Sequence, residues 1–137
     1  MHYTNISLSV LNWYDKNKRD LPWRRFKDPY KIWLSEVMLQ QTQVKTVIPY
    51  YKRWLNEFGT IQDVANAELD SLLKAWEGLG YYSRCRNFYR ASRIIAKKYD
   101  GKIPETYDEF IALPGVGKYI ASAVLSIAHD IKISAID

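Results

Sequence analysis

Cysteine is nearly absent from the chain: Cys85 stands alone. One thiol excludes an internal disulfide and any metal site built only from cysteine. Histidine is almost as scarce. His2 and His129 have no ligand-like neighbours at metal spacing, so no metal is expected. The apolar runs are far too short to cross a bilayer. The opening Met1-His2-Tyr3-Thr4-Asn5 lacks the basic-then-apolar order of a secretory signal. No stretch alternates apolar and polar residues convincingly at period two, and there is no internal repeat or low-complexity segment. The expected fold class is therefore all-α. Acidic residues are in deficit, 15 Asp and Glu against 20 Lys and Arg, giving a formal charge of +5.

That positive excess, with no basic amphipathic helix near a terminus, favours a polyanionic partner over a membrane surface. Aromatics are plentiful: 15% of the chain, with 11 Tyr and 5 Trp. Basic charge with aromatics suits nucleic acid, because rings stack on bases or wedge between them. Use of the rings in an apolar core accounts equally well for most of the Trp. With 137 residues and 47% hydrophobic content, one packed domain is expected. A reducing, intracellular location fits the cysteine count.

The central stretch is Trp33-Leu34-Ser35-Glu36-Val37-Met38-Leu39-Gln40-Gln41-Thr42-Gln43-Val44. Its apolar members recur at three- and four-residue steps, the period of a helix with a broad buried face. Glu36 lies inside that run, either at the edge of the face or partly desolvated. Desolvation would raise its pKa and let it hold or donate a proton near neutral pH. Gln40 to Gln43 follows as an uncharged block, better suited to base edges than to phosphate. An amphipathic helix with Glu and Gln facing water is the competing reading, and periodicity alone favours it.

Before this stretch, Ile6 to Asn17 reads as a helix and Leu21-Pro22-Trp23-Arg24-Arg25 as a loop. Asp28-Pro29 is a helix start, Asp as the cap and Pro at the first helical position. Gln43 to Phe58 predicts a second helix, kinked or broken early by Pro49. Ile61 to Ala65 is a helical turn. Asn66 caps a helix from Ala67 to Trp76 with Leu69, Leu72, Leu73 and Trp76 inward, and Gly78-Leu79-Gly80 ends it. Tyr82 to Tyr99 is a long helix, rich in Arg and Lys, with Phe88, Ala91, Ile94 and Ile95 inward. Thr106-Tyr107-Asp108-Glu109 is a capping box that starts a short helix ending at Leu113. Lys118 to Ala128 is the next helix. The chain stops on the apolar run Ile131 to Asp137, where a natural domain end is usually polar, so a longer protein cut in mid-sequence is expected.

Leu113-Pro114-Gly115-Val116-Gly117-Lys118 joins two helices through paired glycines. Glycine at both positions permits positive φ and close approach of a ligand. The following helix offers free N–H groups and a positive dipole end, a phosphate site to which Lys118 adds charge. A plain helix–helix turn is the alternative. The pattern is the hallmark of the helix-hairpin-helix DNA-binding motif.

With these residues in view, the chain resembles the N-terminal part of the adenine DNA glycosylases of the endonuclease III superfamily. The resemblance is carried by Leu21 to Arg24, Asp28 to Val44, Trp76 to Arg84, Leu113 to Lys118 and Ile136-Asp137. It implies a six-helix-barrel-type domain over 21–137, with the helix-hairpin-helix at about 106–128. It also implies an N-terminal helix over 1–20 that packs on a cluster domain beyond this chain.

The resemblance further implies roles. Glu36 matches the catalytic acid that protonates adenine, and Asp137 the carboxylate that stabilises the sugar cation. Gln41 and Tyr81 match residues that enter the duplex. Trp23 and Arg24 match the pocket for the extruded adenine. Gly115, Val116 and Gly117, with Lys118, match the phosphate-holding hairpin. Tyr119 occupies the position of the lysine of lyase-competent relatives; a phenol cannot form a Schiff base, so a monofunctional glycosylase is expected. The implied partner is double-stranded DNA with adenine opposite guanine or 8-oxoguanine, bound by a monomer, with no membrane association. The family's [4Fe-4S] cluster is expected only with C-terminal cysteines that this chain lacks, so the chain itself binds no cofactor. A non-catalytic DNA-binding remnant and a thymine or uracil mismatch glycosylase are the other readings. The setting would be the cytoplasm, at the nucleoid if bacterial.

Overall fold

The computed structural model describes residues 28–126, and every regular element among them is a helix. Expectations for residues 1–27 and 127–137 lie outside it: the Ile6 to Asn17 helix, the Leu21 to Arg25 loop with Trp23 and Arg24, both histidines, and Asp137. Six helices have both ends described: α1 (Pro29–Leu39), α2 (Val44–Glu57), α3 (Ile61–Asn66), α4 (Leu69–Trp76), α5 (Tyr82–Lys98) and α6 (Tyr107–Ile111). A further helix, α7, begins at 118 and continues to 126, the last described residue.

α1 starts where the sequence says it should. The Asp28 carboxylate accepts from the Tyr30 N–H at 3.0 Å, and Pro29 takes the first turn, where its missing N–H costs nothing. The helix is buried on nearly every side: Tyr30 and the whole run Ile32 to Met38 are inaccessible. This is the pattern of a core helix, not of one lying on a surface.

The aromatic residues explain the core. Phe88 on α5 packs against Trp33 at 4.2 Å, Trp54 at 6.0 Å and Tyr30 at 6.1 Å between ring centres. Trp54 also meets Trp76 edge-on at 5.7 Å. Two of these rings are linked through their polar ends: Trp54 Nε1 donates to the Tyr30 hydroxyl at 3.0 Å, which donates to the Phe58 carbonyl at 2.6 Å. Burial holds the Tyr30 phenol well above its ordinary range. Thus Trp33, Trp54 and Trp76 are structural, as the core reading of the aromatics required.

Several boundaries differ from the sequence expectation. α2 runs unbroken through Pro49. Pro49 and Lys45, whose carbonyl loses its partner, lie on the exposed side of α2, where water can satisfy the freed group. Asn66 does not cap the next helix; it is the last residue of α3, and an extended Ala67 and Glu68 separate it from α4. Leu69 and Leu73 are only half-buried. Ile94 is 38% exposed and belongs to the outer side of α5, while Cys85 takes an inward position. The capping box is half as expected. The Thr106 hydroxyl accepts from the Glu109 N–H at 3.3 Å, but the Glu109 carboxylate accepts from that same hydroxyl at 2.7 Å. α6 stops at Ile111, two residues short of the expected Leu113.

The central position of Phe88 gives a direct test. Phe88→Ala is expected to destabilise the chain by about 3–5 kcal/mol in urea unfolding. A loss under about 1 kcal/mol would show that the rings do not form one packed cluster.

Candidate active site

Glu36 sits two-thirds of the way along α1, in the middle of the apolar run, and its side chain is fully buried. Its Oε2 accepts from the Tyr119 hydroxyl of α7 at 2.8 Å. Its Oε1 is buried with no partner among the described residues. Burial pushes the Glu36 carboxyl up to about 7, and the Tyr119 hydrogen bond opposes the shift without cancelling it. A group with a pKa near 7 is shared between its protonated and ionised forms at neutral pH, so it can both hold a proton and give it up. The edge-of-face reading of Glu36 is thereby excluded.

Tyr119 also reaches the surface. With Leu39, Gln40, Gln41, Tyr81, Ser83 and Arg84 it lines an open cleft of about 500 Å³. The structure therefore brings Gln41, Tyr81 and Tyr119 to one place, with Glu36 one hydrogen bond behind Tyr119. Gln41 and Tyr81 are exposed, Tyr81 to 61%. Both hold left-handed backbones, with φ of 59° and 50°.

The paired-glycine turn lies between α6 and α7. Gly115 has φ +74°, and a Cβ there would sit 2.6 Å from the Asn87 Cβ, so both conformation and space demand glycine. Gly117 differs from expectation: it is not in the left-handed region, and a Cβ on it would meet nothing within 4 Å. Its smallness serves an open surface instead of a turn. The Gly117 carbonyl accepts from Ala121 N–H at 3.0 Å, which makes it the N-cap of α7, and Gly117 and Lys118 are both exposed at this helix end. Val116 shapes the turn from within. Its side chain is buried, and its N–H donates to the Leu113 carbonyl at 3.2 Å, so it closes the turn.

Cys85 is buried and its thiol is pushed up to about 12, chiefly by desolvation, which makes it a packing residue. Trp23, Arg24 and Asp137 lie outside the described residues. Two features escaped the sequence. One is the Glu36–Tyr119 contact, made across a separation of 83 residues, of which no local pattern gives a sign. The other is Arg84, whose guanidinium is spread over five acceptors; the available signal was a cation in the first turn of α5, where the helix dipole disfavours one.

A buried carboxyl with a raised pKa thus lies behind a cleft, and a paired-glycine turn leads into the helix that carries its Tyr119 partner. The model for the HhH-GPD superfamily of base excision DNA repair proteins matches residues 34–136. The chain belongs to that superfamily. It is 47% identical over 130 residues to the adenine DNA glycosylase of Buchnera aphidicola subsp. Baizongia pistaciae, covering 94% of this chain and 37% of that protein. It is 46% identical over 143 residues to the adenine DNA glycosylase of Rattus norvegicus, covering 98% of this chain and 28% of that protein. The chain thus spans about a third of the length of these relatives. Among solved structures, a thermostable thymine-DNA glycosylase superimposes with a TM-score of 0.76 at 26% identity, over 93% of this chain and 59% of that one. The all-α fold of the HhH-GPD glycosylases follows.

The Glu36 shift has a measurable consequence. Its folded pKa, about 7, lies above the ordinary 4.5, so the folded state binds more protons than the unfolded state between these values. Stability is full below about pH 4.5 and falls as the pH rises through 7. Glu36→Gln removes this dependence. It is expected to be more stable than the parent by about 2–4 kcal/mol at pH 8.5 and nearly equal at pH 4.5, read by urea unfolding. A parent and variant that track each other across this range would contradict a raised Glu36 pKa.

Proposed function

We propose that the protein is a monofunctional DNA glycosylase that removes adenine mispaired with guanine or 8-oxoguanine. The observation that carries this reading is Glu36: a fully buried carboxyl, raised to about 7 and hydrogen-bonded by Tyr119, in a sequence 47% identical to an adenine DNA glycosylase. Glu36 gives its proton to a ring nitrogen of adenine. The N-glycosidic bond then breaks, and its electron pair leaves with the base. Asp137 would stabilise the positive charge left on the sugar, and water adds at that carbon to give an abasic site. Trp23 and Arg24 would line the pocket for the extruded base.

Tyr119 supports the monofunctional assignment. It offers a hydroxyl where an amine would be needed for a Schiff base, and that hydroxyl is engaged with Glu36. Duplex DNA as partner is supported by the exposed N-terminal end of α7 with Gly115, Gly117 and Lys118, and by the outer face of α5. Arg86, Arg90, Arg93 and Lys97 are all exposed there at helical spacing, opposite the buried Phe88 and Ile95. Gln41 and Tyr81, exposed at the cleft, are placed to enter the duplex. The residues present do not fit a four-cysteine cluster, since Cys85 is the one cysteine and is buried, so the proposed chemistry runs without it. The protein would act as an intracellular monomer. Among the described residues no helix is long and apolar enough to cross a membrane.

The test is single-turnover adenine release from an 8-oxoguanine:adenine duplex at enzyme excess, with a thymine:guanine duplex as control. Release from the first duplex only is expected, without strand scission, slowed about 100-fold or more in Glu36→Gln. The rate should fall as the pH rises through about 7, where Glu36 loses its proton. Release of thymine alone would transfer the assignment to the thymine-mismatch glycosylases. Duplex binding with no base release would leave a DNA-binding remnant.

A further inference from the structure

Resting on the reading of Gln41 and Tyr81 as residues that enter the duplex, we propose that Arg84 is the positioning residue that locks the two into one rigid wedge. The peptide plane before a residue turns with that residue's φ, so holding the preceding carbonyl holds φ itself. One guanidinium does this twice. Arg84 Nη1 donates to the Gln40 carbonyl at 2.6 Å, directly before Gln41. Arg84 Nη2 donates to the Gly80 carbonyl at 3.2 Å, directly before Tyr81. These are the two residues at the cleft with left-handed backbones, a conformation that side chains other than glycine keep only when the surroundings enforce it.

The remaining contacts fix the guanidinium in turn. Nη1 also reaches the Val37 and Met38 carbonyls at 2.8 and 3.0 Å, so it satisfies the open C-terminal end of α1, the helix that carries Glu36. Nη2 reaches the Thr42 hydroxyl at 3.3 Å. The Gly80 carbonyl accepts from Trp76 Nε1 at 3.0 Å as well, tying that peptide to the aromatic core. The guanidinium carbon lies 5.4 Å from the Tyr81 ring centre and 5.3 Å from that of Trp76. Only a planar fork of donors can span both turns; a lysine ammonium is a single point and must abandon one of them.

The test places 2-aminopurine, a fluorescent adenine analogue, opposite guanine in a duplex and reads its fluorescence rise on unstacking. The parent chain, Arg84→Lys, Gln41→Ala and the double variant are compared at saturating protein. Arg84→Lys is expected to lower the rise about tenfold while duplex affinity changes less than about threefold. In the Gln41→Ala background the same substitution should add less than about twofold, because both changes disable one wedge. A folded Arg84→Lys with the parent's fluorescence rise, or effects that simply multiply, would overturn the role of Arg84. No rise with the parent chain would instead overturn the wedge reading of Gln41 and Tyr81, and this inference with it. If Arg84→Lys loses helicity, Thr42→Val decides. It removes one acceptor of the fork and should lower the rise about twofold, whereas an unchanged rise counts against the proposal.

Discussion

A carboxyl group held where water cannot reach it sets the terms for the rest of this structure. Glu36 is fully buried in a helix that is itself enclosed. Ionised in that position, it would face a desolvation penalty that one hydrogen bond from Tyr119 does not offset. The fold therefore keeps a large share of the carboxyl protonated near neutral pH and accepts a loss of stability as the proton leaves. The surrounding architecture keeps water out: α1 lies in the core, and the Trp33, Phe88 and Trp54 rings fix it there.

The same helix ends in the cleft. Its last carbonyls would be open, and Arg84 fills them from α5. The acid and the two exposed left-handed residues thus share a rigid frame. Movement of the Gln41 turn against α1 would break bonds to the one guanidinium that also holds the Tyr81 turn. The buried carboxyl and the exposed Gln41 and Tyr81 turns keep a fixed relation because the same few turns of backbone and one guanidinium hold them.

Much of this was legible in the sequence because it is local. Asp28-Pro29 announces the start of α1, the period of Ile32 to Met38 announces a broad buried face but not the burial of Glu36 within it, and the Leu113 to Lys118 turn carries its own signature. The less legible parts depend on distant partners or on solvent. No glycine at Gln41 or Tyr81 reveals the left-handed backbone, since Arg84 enforces it from outside. Pro49 looks like a break but is tolerated on a wet face of α2. Val116 shares a motif with Gly115 and Gly117, yet turns inward. Resemblance gave Glu36 and Tyr119 separate meanings, one as an acid and one as the absence of a lysine. Only the fold joins them in one hydrogen bond.

The proposed chemistry depends on Glu36 holding its proton up to near-neutral pH. The most direct measurement is a pH titration of the Glu36 side-chain carboxyl by carbon NMR in the 137-residue chain, assigned by loss of its signal in Glu36→Gln. The account requires a midpoint of about 7. A midpoint near the ordinary 4.5 would mean that Glu36 is ionised in the folded chain and cannot serve as the proton donor.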